Sequence, residues 1–297
     1  MAKTILITGA SSGIGKEAAK VFTADGWNVV ATMRSPEKER DLVPSDNLLL
    51  TRLDLQKAAS IQEAVGQTLK KFGRIDLLVN NAGYGQYGLL EEVTPEKIRQ
   101  QFETNVFGVI ELMRATLPTM RRQRSGMVIN VSSGGGIYGV PAMSIYSASK
   151  FALEGFSEAV SYELASQNIV VKLIEPHGGV TATNFNARVA EDSGDVRAVA
   201  DYDQFKADMR AAYSRTAAAS SISSRDVALE IYKAATDGSR RLRYFIGVDS
   251  RGFLNAKQTL RDQEYIEFMR SYLRSGECLD GCDTRTKVGV HAPSGEL

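Results

Sequence analysis

The 297-residue chain has only two cysteines, Cys278 and Cys282, and two histidines, His177 and His291. Two neighbouring thiols in a polar tail cannot build a disulfide framework, and the rest of the chain suits a reducing compartment. A metal site drawn from Cys278, Cys282, Asp283 and His291 is disfavoured, because a structural zinc takes four closely spaced ligands held by folded backbone. No charge of one sign dominates: 36 Lys and Arg stand against 35 Asp and Glu. That balance leaves no electrostatic footprint for nucleic acid or an anionic membrane. The one basic cluster, Arg121, Arg122 and Arg124, falls where a helix should end, and cations there offset exposed carbonyl dipoles. No apolar run approaches the ~18 residues of a membrane helix. Met1 to Ala10 reads as a strand running into a Gly turn, not as a basic segment followed by an apolar stretch of signal-peptide length. The expectation is a cytoplasmic protein with no metal, no nucleic-acid partner and no membrane contact.

What is present is a core. Hydrophobic residues make up 43% and charged residues 24%, ordinary values for a globular chain. Short apolar runs alternate with longer amphipathic ones, the pattern of βαβ units around a parallel sheet. Strands are predicted at Lys3 to Ile7, Asn28 to Thr32, Leu48 to Leu53, Ile75 to Asn80, Gly126 to Ser132, Val170 to Glu175 and Arg243 to Ile246. They are continuous Val/Ile/Leu runs, as strands covered on both faces should be. Helices are predicted at Gly13 to Asp25, Lys57 to Phe72, Pro95 to Met120, Ser144 to Ser166 and Ser224 to Thr236. Thr94-Pro95-Glu96 supplies a start signal, with Thr as cap and Pro at the first helical position. The fold class is therefore α/β: one domain with a doubly wound parallel sheet of about seven strands and helices on both faces. Residues 181–223 lack strand signals and read as a mobile insertion with short helices, and residues 275–297 read as a flexible tail.

Thr8-Gly9-Ala10-Ser11-Ser12-Gly13-Ile14-Gly15 follows the first strand and opens the first helix. Glycines there let the backbone turn sharply and approach a pyrophosphate, whose charge meets free amides and the helix dipole. The spacing is G-x-x-x-G-x-G rather than the commoner G-x-G-x-x-G. Four further motifs occur in a fixed order: Asp54-Leu55, Asn80-Asn81-Ala82-Gly83, Asn105, and Ser133 ahead of Tyr146-Ser147-Ala148-Ser149-Lys150.

With these motifs the sequence resembles the short-chain dehydrogenase/reductase family up to about Arg274, so residues 1–274 are expected to form one Rossmann-type dinucleotide-binding and catalytic domain. The resemblance implies that Gly9, Ser11, Ser12, Gly13, Ile14 and Gly15 cradle the cofactor. It implies that Asp54 and Leu55 meet the adenine, and that Asn81, Ala82 and Gly83 line the site. At the end of the second strand an acid bonds the 2′-hydroxyl of NAD, whereas an Arg accommodates the 2′-phosphate of NADP. Here no acid stands and Arg34 follows, with Ser11 and Ser35 as further donors, so the cofactor expected is NADP(H).

Tyr146 and Lys150 are four apart on a predicted helix and share a face. A neighbouring ammonium is expected to lower the phenol from its usual ~10 and so make Tyr146 the general acid/base. The resemblance gives Lys150 the nicotinamide ribose as a second partner, makes Ser133 the hydrogen bond to the substrate oxygen, and gives Asn105 a water that links Lys150 to solvent. Ser132 should point to the other side of its strand.

One stretch departs from the family: Glu175-Pro176-His177-Gly178-Gly179-Val180-Thr181 has His177 where Gly is expected. Aligned without a gap, Thr181 keeps the family's Thr position, and Pro176, Gly179, Val180 and Thr181 contact the cofactor. A one-residue shift would instead bring Gly178 to the Gly position and lose Thr181. His177 either touches substrate or packs behind the loop. Tyr84, Tyr87, Ile137, Tyr138, Met143, Phe185 and Phe205 fall in segments around a pocket and suggest a small apolar carbonyl or alcohol substrate, unless several are simply core. Apolar residues Phe107, Leu112, Phe151, Phe156 and Val160 exceed what one sheet face covers, so a homodimer or homotetramer is expected. The reaction implied is hydride transfer between NADP(H) and a ketone or aldehyde. An epimerase or dehydratase that retains its nicotinamide, or a non-catalytic NADP-sensing module, remains the alternative on the same fold.

Overall fold

Apolar residues that alternate sides along each strand explain the layering. In the computed structural model, which describes residues 2–177, 180–181, 198–214, 222–249 and 251–275, Ile5, Ile7, Val29, Ala31, Leu77 and Val79 face one apolar cluster. Their neighbours Leu6, Val30 and Leu78 face another. That period of two, with apolar residues at both phases, is what a sheet buried on both faces requires.

The strands are β1 (Thr4–Ile7), β2 (Asn28–Met33), β3 (Leu48–Arg52), β4 (Leu77–Asn80), β5 (Gly126–Val131), β6 (Ile169–Pro176) and, after two short strands, β9 (Arg243–Ile246). They pair in parallel in the order β3-β2-β1-β4-β5-β6-β9. Helices α1 (Gly13–Ala24) and α7 (Ser224–Thr236) supply Phe22, Val227 and Ile231 to the first cluster. Helices α2 (Ala58–Phe72), α4 (Gly108–Gln123) and α5 (Ser144–Ala165) supply Ile61, Leu112 and Leu153 to the second. The order reverses between β1 and β4, and at such a switch point ligands bind beyond the strands' carboxyl ends.

The structure corrects four expectations. The helix predicted from Pro95 to Met120 is interrupted: α3 (Pro95–Phe102) passes through a π-helical turn at Glu103–Phe107 before α4 begins. Gly108 packs so closely that a Cβ would lie 2.6 Å from the Leu55 carbonyl oxygen, and Asn105 reaches back to the Tyr84 backbone. The stretch expected to lack strands contains β7 (Val180–Thr181) and β8 (Ile222–Ser223), which pair in parallel. It also contains α6 (Asp203–Ser214). Leu112 and Val160, expected as surplus surface, are buried in the core, whereas Phe107 is 51% and Phe151 45% exposed. Finally, Ile137 packs against a third apolar cluster rather than lining the cleft described below. That cluster unites Tyr138 and Ala212 with α8 (Phe253–Thr259) and α9 (Asp262–Ser275), and the Phe253 ring meets Tyr138 edge-on at 5.5 Å. Among the described residues no helix is long and apolar enough to cross a membrane, and no three His, Cys, Asp or Glu side chains are placed to hold a metal ion. Cys278, Cys282, Asp283 and His291, like Gly178, Gly179 and Phe185, lie outside the described residues.

A buried lysine ties the far edge of the sheet. Lys172 Nζ donates to Asp237 Oδ1 at 2.7 Å, to the Ala234 carbonyl at 2.7 Å and to Tyr244 Oη at 2.9 Å. Burial alone would raise the Asp237 carboxyl, but hydrogen bonds from Lys172 and Tyr244 outweigh it and hold the group at about 2. Because the folded value is depressed, its stabilisation is present above pH ~4 and is lost as pH falls toward 2, worth about 2 kcal/mol. Urea unfolding between pH 5 and 2 should show this acid loss, and Asp237→Asn should flatten it. An unchanged acid limb in the variant would contradict the assignment.

Candidate active site

At the switch point the β1 and β4 turns are stitched together. Thr8 Oγ1 accepts from the Asn81 and Ala82 amides at 3.0 and 2.9 Å, and Asn81 Nδ2 donates to the Thr8 carbonyl at 2.9 Å. Two motif glycines are needed for this approach. A Cβ on Gly9, whose φ is +70°, would come 2.9 Å from Ala82 Cα, and one on Gly15 would come 2.5 Å from the Gly9 carbonyl oxygen. Ser12 precedes α1 without a side-chain capping bond, and the first turn carries no acid. The first amides of α1 therefore open, with their positive dipole end, into a cleft of about 1030 Å³. An anion such as a pyrophosphate fits that end.

Gly9, Ser11, Ser12, Gly13 and Ile14 line the cleft, as do Asp54, Leu55, Asn81, Ala82 and Gly83. Gly15 is buried behind the turn. Asp54 is held in place by Ser60 Oγ, which accepts from its amide at 3.0 Å, and its own Oδ1 accepts from the Gln56 amide at 3.1 Å. Arg34 stands exposed at the rim beside Ser35. Lys16, Lys38 and Arg40 join it there and were not singled out from the sequence, because they lie in a loop and a helix whose charges look like ordinary surface. Lys16 Nζ is engaged by Glu39 at 2.9 Å and Asp41 at 2.8 Å.

At the other end, Ser133, Tyr146 and Lys150 share one wall. Ser133 stands two residues beyond β5, caps the short turn Gly134–Gly136 by accepting from the Gly135 amide at 3.1 Å, and hydrogen-bonds Tyr146. Gly135 leaves room for the ring, since a Cβ would sit 3.0 Å from Tyr146 Cε1. Lys150 Nζ lies 5.9 Å from the centre of the Tyr146 ring and donates to the Val131 carbonyl at 2.8 Å. Asn105 Oδ1 accepts from the Tyr84 amide at 3.2 Å, and its Nδ2 donates to the Tyr84 carbonyl and to Ser149 Oγ. The π turn thus aims Asn105 between the β4 loop and α5, the kind of local distortion that π turns provide at functional sites.

The phenol differs from expectation. Burial pushes Tyr146 up to about 12, against a smaller lowering by the Ser133 hydrogen bond. Burial also pushes Lys150 down to about 8, opposed by the charge of Glu154. In this arrangement Lys150 donates to the Val131 carbonyl, and the acidity of the phenol follows from burial and the Ser133 hydrogen bond.

His177 is buried and lines the cleft; its amide donates to the Ile246 carbonyl at 2.9 Å and burial lowers its imidazole. Pro176 and Val180 also line the cleft. Thr181 does not: it is exposed, and its Oγ1 donates to the Ile222 carbonyl at 3.3 Å within the β7–β8 pair. Of the apolar pocket candidates, Tyr84, Tyr138 and Met143 line the cleft, while Tyr87 and Phe205 do not. Val140, Gln100, Thr104 and Arg251 line it unforeseen. Arg251 arrives through the C-terminal segment, whose route back over the site no local pattern announces.

The comparisons agree with this geometry. Residues 3–194 match the family model described as short chain dehydrogenase, and the chain belongs to that family. A 3-ketodihydrosphingosine reductase of Bacteroides thetaiotaomicron is 42% identical over 193 residues, covering 64% of this chain and 69% of the relative. A short-chain dehydrogenase from Streptomyces avermitilis has a crystal structure with a TM-score of 0.76 and 33% identity, covering 91% of this chain and 97% of that one. A structure of ElxO with NADP bound has a TM-score of 0.67 and 26% identity, covering 82% and 98%. The chain is thus a Rossmann-type oxidoreductase of a family that uses NAD or NADP.

Proposed function

We propose that the protein is an NADP(H)-dependent reductase of apolar ketones or aldehydes, with Tyr146 as general acid/base. The observation that carries this reading is the meeting of Ser133, Tyr146 and Lys150 on one wall of a cleft whose other end is the uncapped start of α1. A bound nicotinamide supplies the hydride for the carbonyl carbon, or takes it up in reverse. Ser133 Oγ holds the substrate oxygen while Tyr146, which keeps its proton at neutral pH, delivers that proton to it. Lys150 holds the ribose and provides the positive charge that eases proton loss from Tyr146. Asn105 keeps the β4 loop and α5 in register beside Lys150 and holds a water on the way to solvent. Pro176 and Val180, which line the cleft, would help hold the nicotinamide.

The apolar wall of Tyr84, Tyr138, Val140 and Met143 supports an apolar substrate, and the Bacteroides relative is named for reducing a ketone. NADPH oxidation followed by absorbance across aldehydes and ketones should single out apolar carbonyl compounds. Consumption confined to charged ones would contradict the substrate class.

Arg34, with no acid at the end of β2, supports NADP over NAD. Arg34→Ala should weaken NADPH by about 1.5–3 kcal/mol and NADH far less, since a charged hydrogen bond to phosphate is lost. Titrations in which the wild type holds both cofactors equally would rule this out. The exposed rings of Phe107 and Phe151 support a homodimer or homotetramer. Light scattering at micromolar concentration should return a multiple of 32.4 kDa; the monomer mass would contradict it.

A further inference from the structure

Next to Lys150 lies a polar cluster whose carboxyls and guanidinium do not line the cleft and which the reaction above does not use. Glu154 follows Lys150 by one turn of α5, so both project from one face. Gly136 shows how closely they converge: a Cβ there would lie 2.8 Å from Ser132 Oγ, 3.0 Å from Glu154 Cγ and 3.3 Å from Lys150 Cβ. β6 contributes Glu175, which is fully buried. β9 contributes Arg243, whose Nε lies 3.1 Å from Glu154 Oε2 and 3.5 Å from Glu175 Oε1, while its Nη2 reaches Glu158 Oε2 at 2.6 Å. Three carboxylates thus face one guanidinium. Ser132 Oγ, Glu154 Oε1 and both Glu175 oxygens are buried without a hydrogen-bond partner, a costly arrangement unless a proton bridges some of them.

We propose that Glu154 and Glu175 hold one proton between them, with the negative charge on Glu154, and that this charge is a positioning device that keeps Lys150 in its ammonium form. The proposal rests on the reading of Lys150 as the partner of Tyr146. Two adjacent buried carboxyls cannot both ionise cheaply, so one stays neutral. Burial first and the Glu154 charge second push Glu175 far above the carboxylate range, and Arg243 only partly opposes them. The charged or titratable groups around Lys150 are Tyr146, Glu154 and Glu158 on α5, Glu175 and His177 at the end of β6, and Arg243 with Arg241 at β9. The π turn presents neutral Asn105 and carries exposed Glu103, and β5 presents the Val131 carbonyl. α3, also packed on α5, carries exposed Glu96 and Arg99 and half-buried Lys97. Lys172, on β6, is turned to Asp237. Glu154 is therefore the buried anion one turn from an ammonium that burial is already discharging.

The test reads Lys150 directly. Protein labelled with [13Cε]lysine is titrated by NMR, with the Lys150 signal assigned by its loss in Lys150→Arg. Glu154→Gln should lower the Lys150 midpoint by about one pH unit, because a buried charge at close range is removed. Glu175→Gln replaces an already neutral carboxyl with its isostere and should leave the midpoint in place. An unmoved midpoint in Glu154→Gln, or an equal drop in Glu175→Gln, would overturn the proposal. If either variant fails to fold, infrared spectra of the wild type decide: the carbonyl stretch of a protonated carboxylic acid should persist at pH 7, and its absence there refutes the shared proton. None of these readouts needs a substrate. A silent carbonyl panel would remove the reaction and leave the titration standing, whereas a failed titration would leave carbonyl reduction intact.

Discussion

Replacing Tyr146 by Phe should lower carbonyl reduction at least about 100-fold, the lower bound for losing a general acid. Folding and NADPH affinity should be nearly unchanged. The ring and its packing against Gly135 remain, and only an oxygen is removed, so no buried volume of consequence is lost. The oxygen that disappears is the one hydrogen-bonded to Ser133 on the cleft wall. Steady-state kinetics of the variant, beside its thermal unfolding and a cofactor titration, give all three quantities. Appreciable ketone reduction by well-folded Tyr146→Phe would overturn the role of Tyr146 and, with it, those given to Ser133 and Lys150. It would also point to His177, the imidazole on the cleft.

Lys150→Ala should differ in kind. It removes the positive charge beside Tyr146 and a ribose donor together, so turnover should fall by about 100-fold and NADPH affinity by about 10-fold or more. The wild type carries its own version of this experiment. Burial pushes Lys150 down to about 8, so the ammonium is present below that pH and is lost above it. Reduction at saturating NADPH should therefore decline as pH rises through about 8, while Tyr146, held near 12, still keeps its proton. A rate that is flat from pH 7 to 10 would separate Lys150 from the chemistry.

All seven strands of the main sheet were legible, most plainly β1 and β4, which are buried on both faces and read as short apolar runs. The break in the long helix was not. It depends on Asn105 reaching Tyr84, 21 residues away, and on Gly108 meeting Leu55, contacts that no local period contains. Tyr146 and Lys150 could be placed on one face from their spacing alone. Their acidities could not, since these follow from burial and from which oxygen the ammonium chooses, here that of Val131. Counting along the loop places Thr181 at the cofactor, but pairing with β8 turns its hydroxyl to Ile222. Glu175 read as the end of a strand, and only the tertiary fold sets it beside Glu154 and Arg243. Arg34 needed no tertiary information, because its place follows directly from where β2 ends.

The most direct test of hydride transfer uses NADPH deuterated on the face of C4 that the enzyme draws from, with a ketone that the carbonyl panel shows to be consumed. The account predicts one deuterium on the carbinol carbon of the alcohol and one NADP⁺ released for each molecule formed. Product without the label, or turnover with no net release of NADP⁺ as an enzyme retaining its nicotinamide would show, would contradict it.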